Sequence, residues 1–334
     1  MEHTTISNLN LTTSRIGLGT WAIGGWMWGG TDEQQSIKTI HTALDKGVNL
    51  IDTAPVYGFG RSEEIIGKAI KEYGGRDDLL LATKTGMDWN DKNVYRNASK
   101  ERIHQEVEDS LKRLQTDYID VYQVHWPDPM TPIEETAEAL HYLYNQGKIR
   151  AIGVSNYSPA QMDTFREAAP LHTVQSPYNL FEREIEDDIL PYVNAHDMTV
   201  LTYGSLCRRL LTGKMSQTST FEGDDLRNND PKFQHARFKQ YLTAVHELDK
   251  LAQDRYGKRV LHLALKWVLQ QSNTGIALMG GRRPEQMEPI NEIENFELNE
   301  DSMREINDIL VRYIHDPVGP EFMAPPDRQE IGLK

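Results

Sequence analysis

Eight short apolar segments recur along the chain, and each is followed by a stretch with helical periodicity. Alternating strands and helices are typical of a parallel sheet with helices packed outside it. Eight such units are the number that closes the sheet into a (β/α)8 TIM barrel, an α/β fold. The segments begin near Arg15, Val48, Leu79, Tyr118, Ile149, His172, Met198 and Gly275. Because composition shifts nowhere enough to mark a linker, we expect residues 1–334 to form a single domain.

Three stretches lie outside this repeat. Residues 1–14 are Thr-rich and predict a small N-terminal hairpin. Residues 204–240, after the seventh strand, are rich in Gly, Ser, Thr, Asn and Asp, and a loop this long in a compact domain is usually functional. Residues 299–310 predict an extra C-terminal helix, and the proline-containing tail from about 315 should be irregular.

The chain carries 36 basic and 50 acidic residues, a net charge of −14. This excess of negative charge argues against nucleic acid or an anionic membrane surface as a partner. The single cysteine, Cys207, excludes an internal disulfide and a metal site built on several cysteines. Neither a signal peptide nor an apolar run of about 18 residues is visible. We therefore expect a soluble cytoplasmic protein.

The run Gly17-Leu18-Gly19-Thr20-Trp21-Ala22 fits the dinucleotide fingerprint G-x-G-x-x-A after a strand. That fingerprint needs a helix to open at its third position, and four more glycines within residues 23–30 disfavour one. We prefer a wide loop at a barrel mouth and keep the doubly wound sheet as the alternative. Trp21, Trp26 and Trp28 in this loop either wall an apolar pocket or pack between neighbouring loops.

Four polar side chains stand at the ends of successive predicted strands. Asp52 follows strand 48–51 and Tyr57 lies in the same loop, Lys84 closes strand 79–83, and His125 closes strand 118–124. Each of them alone has an ordinary structural explanation, as a turn former, a solvated charge or a packing residue. Since the carboxyl ends of parallel strands meet at one edge, we expect the four to converge at the barrel mouth.

Such a set suits proton transfer to a carbonyl oxygen. A phenol has a pKa of about 10, and a nearby ammonium lowers that value. Lys84 is placed to do this for Tyr57, with Asp52 holding the lysine charged, and His125 can donate a hydrogen bond to a substrate oxygen. Hydride delivery from a nicotinamide is the natural partner step. No paired-ligand spacing appears, so we predict no metal.

Five motifs resemble the aldo-keto reductases and run through most of the chain, from Arg15 to beyond Gln286. They are Ile-Asp-Thr-Ala-Pro-Val-Tyr-Gly at 51–58, Ala-Thr-Lys-Thr at 82–85, Val-His-Trp-Pro-Asp at 124–128, Ile-Gly-Val-Ser-Asn-Tyr at 152–157 and Tyr-Gly-Ser-Leu at 203–206. Segments 29–32, 221–227 and 316–326 resemble the bacterial general-stress members in particular. The resemblance implies a barrel that binds NADPH or NADP+ extended across its mouth.

The resemblance also implies roles for individual residues. Tyr57 would be the proton donor, Lys84 and Asp52 its tuning pair, and His125 the group that orients the substrate. The nicotinamide carboxamide would be held by Ser155, Asn156 and Gln175, with Tyr203 stacked on the ring. The full set of implied cofactor-binding residues is Thr20, Trp21, Asp52, Ser155, Asn156, Gln175, Tyr203, Gly204, Ser205, Leu206, Cys207, Arg208, Lys214, Arg227, Gly280, Gly281, Arg282 and Gln286.

Two basic clusters could receive the cofactor phosphates. In 203–208, with Lys214 nearby, small residues would let backbone N–H groups approach a pyrophosphate, and Arg227 could clasp the cofactor from above. In 280–286, Pro284 is typical of the first residue of a helix, and the N-terminus of a helix favours anions. The arginine before it could grip a 2′-phosphate. The resemblance then favours NADPH over NADH. The alternative is that Arg282 and Arg283 are solvated loop charges.

One position departs from the family pattern. The family commonly has glycine after Cys-Arg in the long loop, where this chain has Arg209. A side chain there could add a phosphate contact, or it could obstruct a backbone turn or the closure of the loop. The departure bears on cofactor affinity more than on chemistry.

The sequence thus predicts NADPH-dependent, possibly reversible, reduction of small aldehydes or ketones. Glyceraldehyde and methylglyoxal are suggested as substrates, and a stress response as context, by the resemblance alone. The alternative is a cofactor-sensing regulatory subunit with little turnover, since potassium-channel β subunits share the fold. We expect a monomer; a homo-oligomer, the physiological substrate and the preferred direction stay open.

Overall fold

The structure is a computed structural model that describes residues 1–6, 9–271 and 274–333. Eight parallel strands close into a barrel and follow one another in space in chain order, which confirms the predicted (β/α)8 fold. The ring closes where the eighth strand pairs with the first, with Ala277 opposite Ile16. The barrel strands are Ile16–Gly19, Leu50–Asp52, Leu80–Thr85, Ile119–Val124, Ile149–Ser155, Thr173–Pro177, Thr199–Tyr203 and Thr274–Gly280.

Helices cover the outside of the barrel, and the largest apolar cluster of the described residues lies between them and the strands. The helices are Trp21–Gly24, Glu33–Asp45, Arg61–Tyr73, Lys100–Leu114, Ile133–Asn145, Pro159–Ala168, Ile189–Ala195, His235–Tyr256, Val260–Gln270 and Glu300–Tyr313. The last is the predicted extra helix, and it packs against helix His235–Tyr256. Within the described residues, none of the helices combines the length and the apolar character needed to cross a membrane.

The doubly wound alternative is wrong, because the sheet is a closed barrel. Trp21–Gly24 is one turn of helix that ends at Gly25, whose φ of 86° lies in the left-handed region. The helix that a dinucleotide fingerprint needs is therefore cut short by the glycines.

The N-terminal hairpin is confirmed as strands His3–Ile6 and Leu11–Ser14, paired antiparallel. Its Ile6 is fully buried in the cluster inside the barrel, beside Leu50 and Leu80, the first residues of the second and third barrel strands. The hairpin thus closes the amino end of the barrel. A second hairpin, Met87–Trp89 with Val94–Arg96, stands above the opposite end and was not predicted.

The long loop after the seventh strand ends sooner than predicted, because helix His235–Tyr256 begins at His235. Three short 3₁₀ turns interrupt it: Leu210–Thr212, Leu226–Asn228 and Pro231–Phe233. Buried ion pairs hold it in place. The Arg208 Nε lies 2.6 Å from Asp230 Oδ2, which joins two parts of the loop, and the Lys232 Nζ lies 2.8 Å from Glu182 Oε1, which follows the sixth barrel strand. Burial alone would raise the pKa of Glu182, but the two cations lower it to about 2.

We expect Gly24→Ala to destabilise the fold. A Cβ at Gly24 would lie 2.4 Å from the backbone carbonyl of Tyr57, where no flexible side chain can give way. The free energy of unfolding in urea should fall by about 1–3 kcal/mol, the usual cost of overpacking. Gly280→Ala is the matched control, since its Cβ would meet nothing closer than 3.7 Å. Equal stability of the two variants would contradict this account of the contact between Gly24 and the Tyr57 loop.

Candidate active site

The carboxyl ends of the barrel strands bring the four predicted polar residues together. Asp52 is the last residue of its strand, and His125 follows directly after its own. Lys84 does not close a strand as predicted, because the third strand runs on to Thr85 and Lys84 projects from within it. Asp52, Lys84 and Tyr57 are all less than a tenth exposed. The predicted convergence at one mouth is confirmed.

The Lys84 ammonium is the hub of the cluster. Its Nζ donates to Asp52 Oδ2 at 2.7 Å, to the Thr53 carbonyl at 2.9 Å and to the Tyr57 hydroxyl at 3.4 Å. An ammonium has three protons, so each has an acceptor. Burial lowers the pKa of Lys84, and the Asp52 charge opposes that shift. A lysine buried this completely is stable because its partners replace water.

Asp52 is held from its other side by two amides. Its Oδ1 accepts from Gln175 Nε2 at 2.8 Å and from Gln123 Nε2 at 3.3 Å. Gln123 was missed as a site residue, although an amide in the otherwise apolar run 121–124 is a signal that could have been read. The two glutamines project from the fourth and the sixth barrel strand and fix the carboxylate towards Lys84.

The prediction of a lowered Tyr57 pKa is wrong. Burial raises the pKa of Tyr57 well above its usual value, and the Asp52 charge adds to the rise. Lys84 lies near the hydroxyl, but its charge is already shared with Asp52. The phenol therefore stays protonated at neutral pH. Its ring stacks on Trp21 with centroids 5.8 Å apart.

His125 is neutral in this setting. Burial and the charge of Lys84 hold its pKa well below the usual value. Its ring meets the Tyr57 ring edge-on, with centroids 5.7 Å apart. Among the described residues, Nδ1 has no hydrogen-bond partner although it is buried. A neutral imidazole beside a neutral phenol offers two uncharged N–H and O–H groups at the same point.

Asn156 links the site to the seventh strand. It has a left-handed backbone, with φ at 61°, and its amide donates to the His125 carbonyl at 3.0 Å. Its Oδ1 accepts from the Tyr203 hydroxyl at 2.8 Å, which fixes the edge of that ring. Ser155 and Gln175 lie beside it, paired in register across the fifth and sixth strands. The predicted amide cluster and the tyrosine are thus brought together.

Two cavities meet at this cluster, and both are lined by Trp21, Tyr57, Tyr203 and Met323. The first, of about 530 Å³, we call the aromatic cavity. Trp26, Phe59 and Trp126 form much of its wall, and His125, Ser155, Asn156 and Gln175 reach its floor. Its rim consists of 90–93 from the second hairpin and 322–326 from the C-terminal tail. The rim was missed, because no periodicity marks a tail that folds back over the barrel.

The second cavity, of about 440 Å³, we call the basic cavity. The predicted cofactor residues that line it are Thr20, Trp21, Asp52, Tyr203, Gly204, Ser205, Leu206, Arg208, Lys214, Arg227, Gly280, Gly281, Arg282 and Gln286. Cys207 does not line it; the thiol is fully buried in the core, and burial raises its pKa to about 12. The remaining predicted residues are therefore divided between the two cavities.

Pro284 is the first residue of a helical turn, as predicted, but that turn is 3₁₀ and does not continue as an α-helix. Pro284–Gln286 is one 3₁₀ turn, followed by a second, Glu288–Glu292. Pro289 interrupts any α-helix here because it lacks a backbone N–H. The backbone N–H groups of Arg282 and Arg283 donate to Gln286 Oε1 at 2.8 and 2.9 Å, so they are not aimed at the cavity. An anion at this place would have to be held by side chains.

The arginines of the basic cavity differ in their partners. Arg208 forms buried ion pairs with Glu182 and Asp230, which makes it an anchor of the loop. Arg227 donates to Asp225 at 2.5 and 2.8 Å. Arg282 donates to the carbonyls of Trp28 and Gly30 at 2.6 and 3.0 Å, neither of which carries a charge. Arg282 thus keeps its positive charge at the cavity wall, whereas Asp225 compensates that of Arg227.

The fold and this polar cluster define a class of protein. Residues 15–311 match the model of the Aldo/keto reductase family. The chain therefore belongs to this family of oxidoreductases, and the resemblance seen in its motifs is confirmed.

Three similar proteins place the chain within the family. It is 65% identical over 331 residues to aldo-keto reductase YhdN of Bacillus subtilis (strain 168), covering 99% of this chain and 100% of that protein. It is 37% identical to the NADH-specific methylglyoxal reductase of Escherichia coli (strain K12), over 86% and 91%. The solved structure of glycerol dehydrogenase AKR11B4 from Gluconobacter oxydans is 52% identical and superposes with a TM-score of 0.87, over 96% and 99%.

Lys84→Met should cost roughly 3–5 kcal/mol of unfolding free energy, because it leaves the buried Asp52 carboxylate without its cation. The double variant Lys84→Met with Asp52→Asn should recover part of that loss, since no lone charge then stays buried. Urea unfolding of the wild type, both single variants and the double variant measures the coupling. A double variant no more stable than Lys84→Met would contradict the central role of this pair.

His125 should make the fold sensitive to acid. Its pKa in the folded state is depressed, so below about pH 6.5 the unfolded state binds a proton that the folded state refuses. Stability should therefore fall with decreasing pH, by at most about 1.4 kcal/mol per pH unit from this group. His125→Gln should show a shallower fall between about pH 6 and pH 4, measured by urea unfolding at each pH. Parallel curves for the two proteins would show that His125 is not held neutral.

Proposed function

We propose that this chain is an NADPH-dependent, single-domain reductase that converts small aldehydes or ketones to alcohols, and that the reaction is reversible. One observation carries the proposal: a buried ammonium lies between a carboxylate and a phenol where the two cavities meet. A proton donor at such a junction can serve a substrate in one cavity while a cofactor fills the other.

Tyr57 is the proposed proton donor. Its raised pKa keeps the proton on the hydroxyl at neutral pH, so the acid is ready before the reaction starts. As the proton moves to the carbonyl oxygen, negative charge grows on the phenol oxygen, 3.4 Å from the Lys84 ammonium. The attraction between that charge and the Lys84 ammonium is stronger in a dry site than in water. Lys84 therefore lowers the free-energy barrier of the proton transfer.

Asp52 and His125 have supporting roles in the proposal. Asp52 keeps Lys84 protonated and aimed, while Gln123 and Gln175 keep Asp52 in place. The neutral His125 would donate an uncharged hydrogen bond to the carbonyl oxygen and hold the substrate against Tyr57. When bound, the nicotinamide supplies the hydride that the carbonyl carbon accepts.

The residues of the basic cavity fit a dinucleotide. Its positively charged wall stands out in a protein with a net charge of −14, which is what an anionic ligand requires. At the junction, Ser155, Asn156 and Gln175 offer donors and acceptors that suit a carboxamide, and the Tyr203 ring offers a stacking face. The proposed nicotinamide end therefore lies next to Tyr57.

The preference for NADPH rests on the far end of the basic cavity. Arg282 and Arg283 line it there, and planar guanidinium groups grip phosphate oxygens in pairs. The Escherichia coli relative is named as NADH-specific, so the family includes both preferences and this point needs its own test.

A small carbonyl compound is the proposed substrate. Two relatives are named for methylglyoxal and glycerol, both three-carbon compounds. The aromatic cavity has an apolar wall of tryptophans and a rim with Asn90, Asp91 and Asn93, which suits a molecule with both CH-rich and polar faces. An aromatic aldehyde would also meet this wall favourably.

The chemistry of Tyr57 can be tested by Tyr57→Phe, which keeps the ring against Trp21 and removes the hydroxyl. We expect NADPH-dependent reduction of methylglyoxal to fall at least about 100-fold in kcat, the range of general acid catalysis. NADPH binding, followed by quenching of tryptophan fluorescence, should change little. Tyr142→Phe, on the exposed face of helix Ile133–Asn145, is the control and should behave as wild type. Turnover close to wild type in Tyr57→Phe would overturn the assignment.

A substrate and cofactor screen separates the enzyme from a regulatory subunit that binds cofactor with little turnover. Initial rates are measured for the wild type with glyceraldehyde, methylglyoxal and benzaldehyde, each with NADPH and with NADH. We expect turnover of one or more of these compounds, and a higher kcat/KM for NADPH than for NADH with each. Tight NADPH binding with no turnover above the Tyr57→Phe background would favour the regulatory alternative.

A further inference from the structure

Arg209 differs from the other arginines of the basic cavity. It lines the cavity from the long loop, and its side chain is exposed at the cavity mouth. Arg208, Arg227 and Arg282 all donate hydrogen bonds to protein oxygens. Within the described part of the chain, the Arg209 guanidinium makes neither a hydrogen bond nor an ion pair. Its guanidinium group is therefore available to a ligand in the cavity.

The backbone at Arg209 is unfavourable for any residue with a side chain. Its φ is 76°, and the two residues before it, Cys207 and Arg208, also have positive φ, at 44° and 50°. Glycine adopts this left-handed conformation without the clash that a Cβ causes. The neighbours have structural reasons to be there, since Cys207 fills the core and Arg208 anchors the loop. Arg209 has no comparable contact.

The surroundings of Arg209 are strongly positive. Arg227, Arg282 and Arg283 all act on it with like charge, while Asp225 is the opposing carboxylate. Partial burial lowers the pKa of Arg209, and the three neighbouring guanidinium groups lower it further, while Asp225 opposes the shift. Four guanidinium groups repel one another, and an anion of more than one charge placed between them would reduce that repulsion. A phosphate monoester dianion is such an anion.

We propose that Arg209 is a direct ligand of the 2′-phosphate of the dinucleotide and that it strengthens selection of NADPH over NADH. This rests on the proposed function. The phosphate would lie between the long loop and segment 280–286, gripped by Arg209 from one side and by Arg282 and Arg283 from the other.

The position of these charges favours the 2′-phosphate over the pyrophosphate. The nicotinamide end of the basic cavity is marked by Tyr203 and Tyr57, and the loop residues Gly204 and Ser205 follow Tyr203 directly. Arg209 instead lines the same cavity as Arg282 and Arg283, lies within electrostatic range of both, and their backbone N–H groups already donate to Gln286. Side chains alone must hold an anion there, and guanidinium groups do so bidentately.

The test uses two probes that differ in one group, adenosine 2′,5′-bisphosphate and adenosine 5′-monophosphate. Isothermal titration calorimetry compares the wild type with Arg209→Gly and Arg209→Lys. Loss of one charge-assisted hydrogen bond should weaken binding of the bisphosphate by roughly 10- to 100-fold in Arg209→Gly. Binding of the monophosphate should change less than about twofold, and Arg209→Lys should recover part of the loss because it restores charge but not the planar fork.

Two controls accompany this experiment. Arg304→Gln removes one positive charge from helix Glu300–Tyr313, far from the basic cavity, and should leave both affinities unchanged. Arg209→Gly should unfold at the same or a higher urea concentration than the wild type, because glycine suits φ at 76°. Weaker binding with undiminished stability then shows that a contact to the phosphate has been lost and that the fold is intact.

Kinetics give the second readout. KM for NADPH should rise in Arg209→Gly while KM for NADH and both kcat values change little. Equal weakening of the two adenosine probes would place the contact elsewhere and overturn the assignment to the 2′-phosphate. No weakening of either probe would show Arg209 to be no ligand. Failure of the wild type itself to bind the bisphosphate or NADPH would overturn the proposed cofactor as well, which distinguishes the two failures.

Discussion

The buried ion pair between Lys84 and Asp52 is the interaction on which the site depends. Two opposite charges this deep in a protein are costly to desolvate, and they persist because every proton of the ammonium has an acceptor. The carboxylate is in turn held by two glutamines from other strands. The barrel wall thus gives Lys84 a single position, and that position sets the environment of the Tyr57 hydroxyl.

The basic cavity depends on a second set of buried charges. Four charged side chains pair with one another beneath the long loop: Arg208, Glu182, Asp230 and Lys232. Lys232 also donates to the Gly319 carbonyl of the tail. The loop and the tail are therefore held by the same cluster, and both contribute to the walls of the two cavities. Because buried ion pairs specify position more than they add stability, this arrangement suits a loop that must present its charges in one geometry.

Part of the site could be predicted from sequence, for a physical reason. Residues at the carboxyl ends of parallel strands must share one rim, so strand order alone brought Asp52, Lys84 and His125 together. The pKa of Tyr57 could not be predicted, because it depends on how dry the site is and on how Lys84 divides its charge. The helical turn that begins at Pro284 stays a short 3₁₀ turn because Pro289 follows it closely. The tail over the aromatic cavity carries no periodic signal.

By itself, the sequence determined the eight strand–helix units, the N-terminal hairpin, the extra helix and the residue types available at the barrel mouth. Local patterns suffice for these, since periodicity and strand ends are read from neighbours in the chain. The tertiary structure decided which charged side chains form ion pairs within the fold and which remain available to a ligand. Arg208 and Arg209 are adjacent in sequence and identical in chemistry, yet one is buried between two carboxylates, and the other lines the cavity with no hydrogen bond or ion pair of its side chain among the described residues. That difference arises from contacts between distant segments, which no local pattern records.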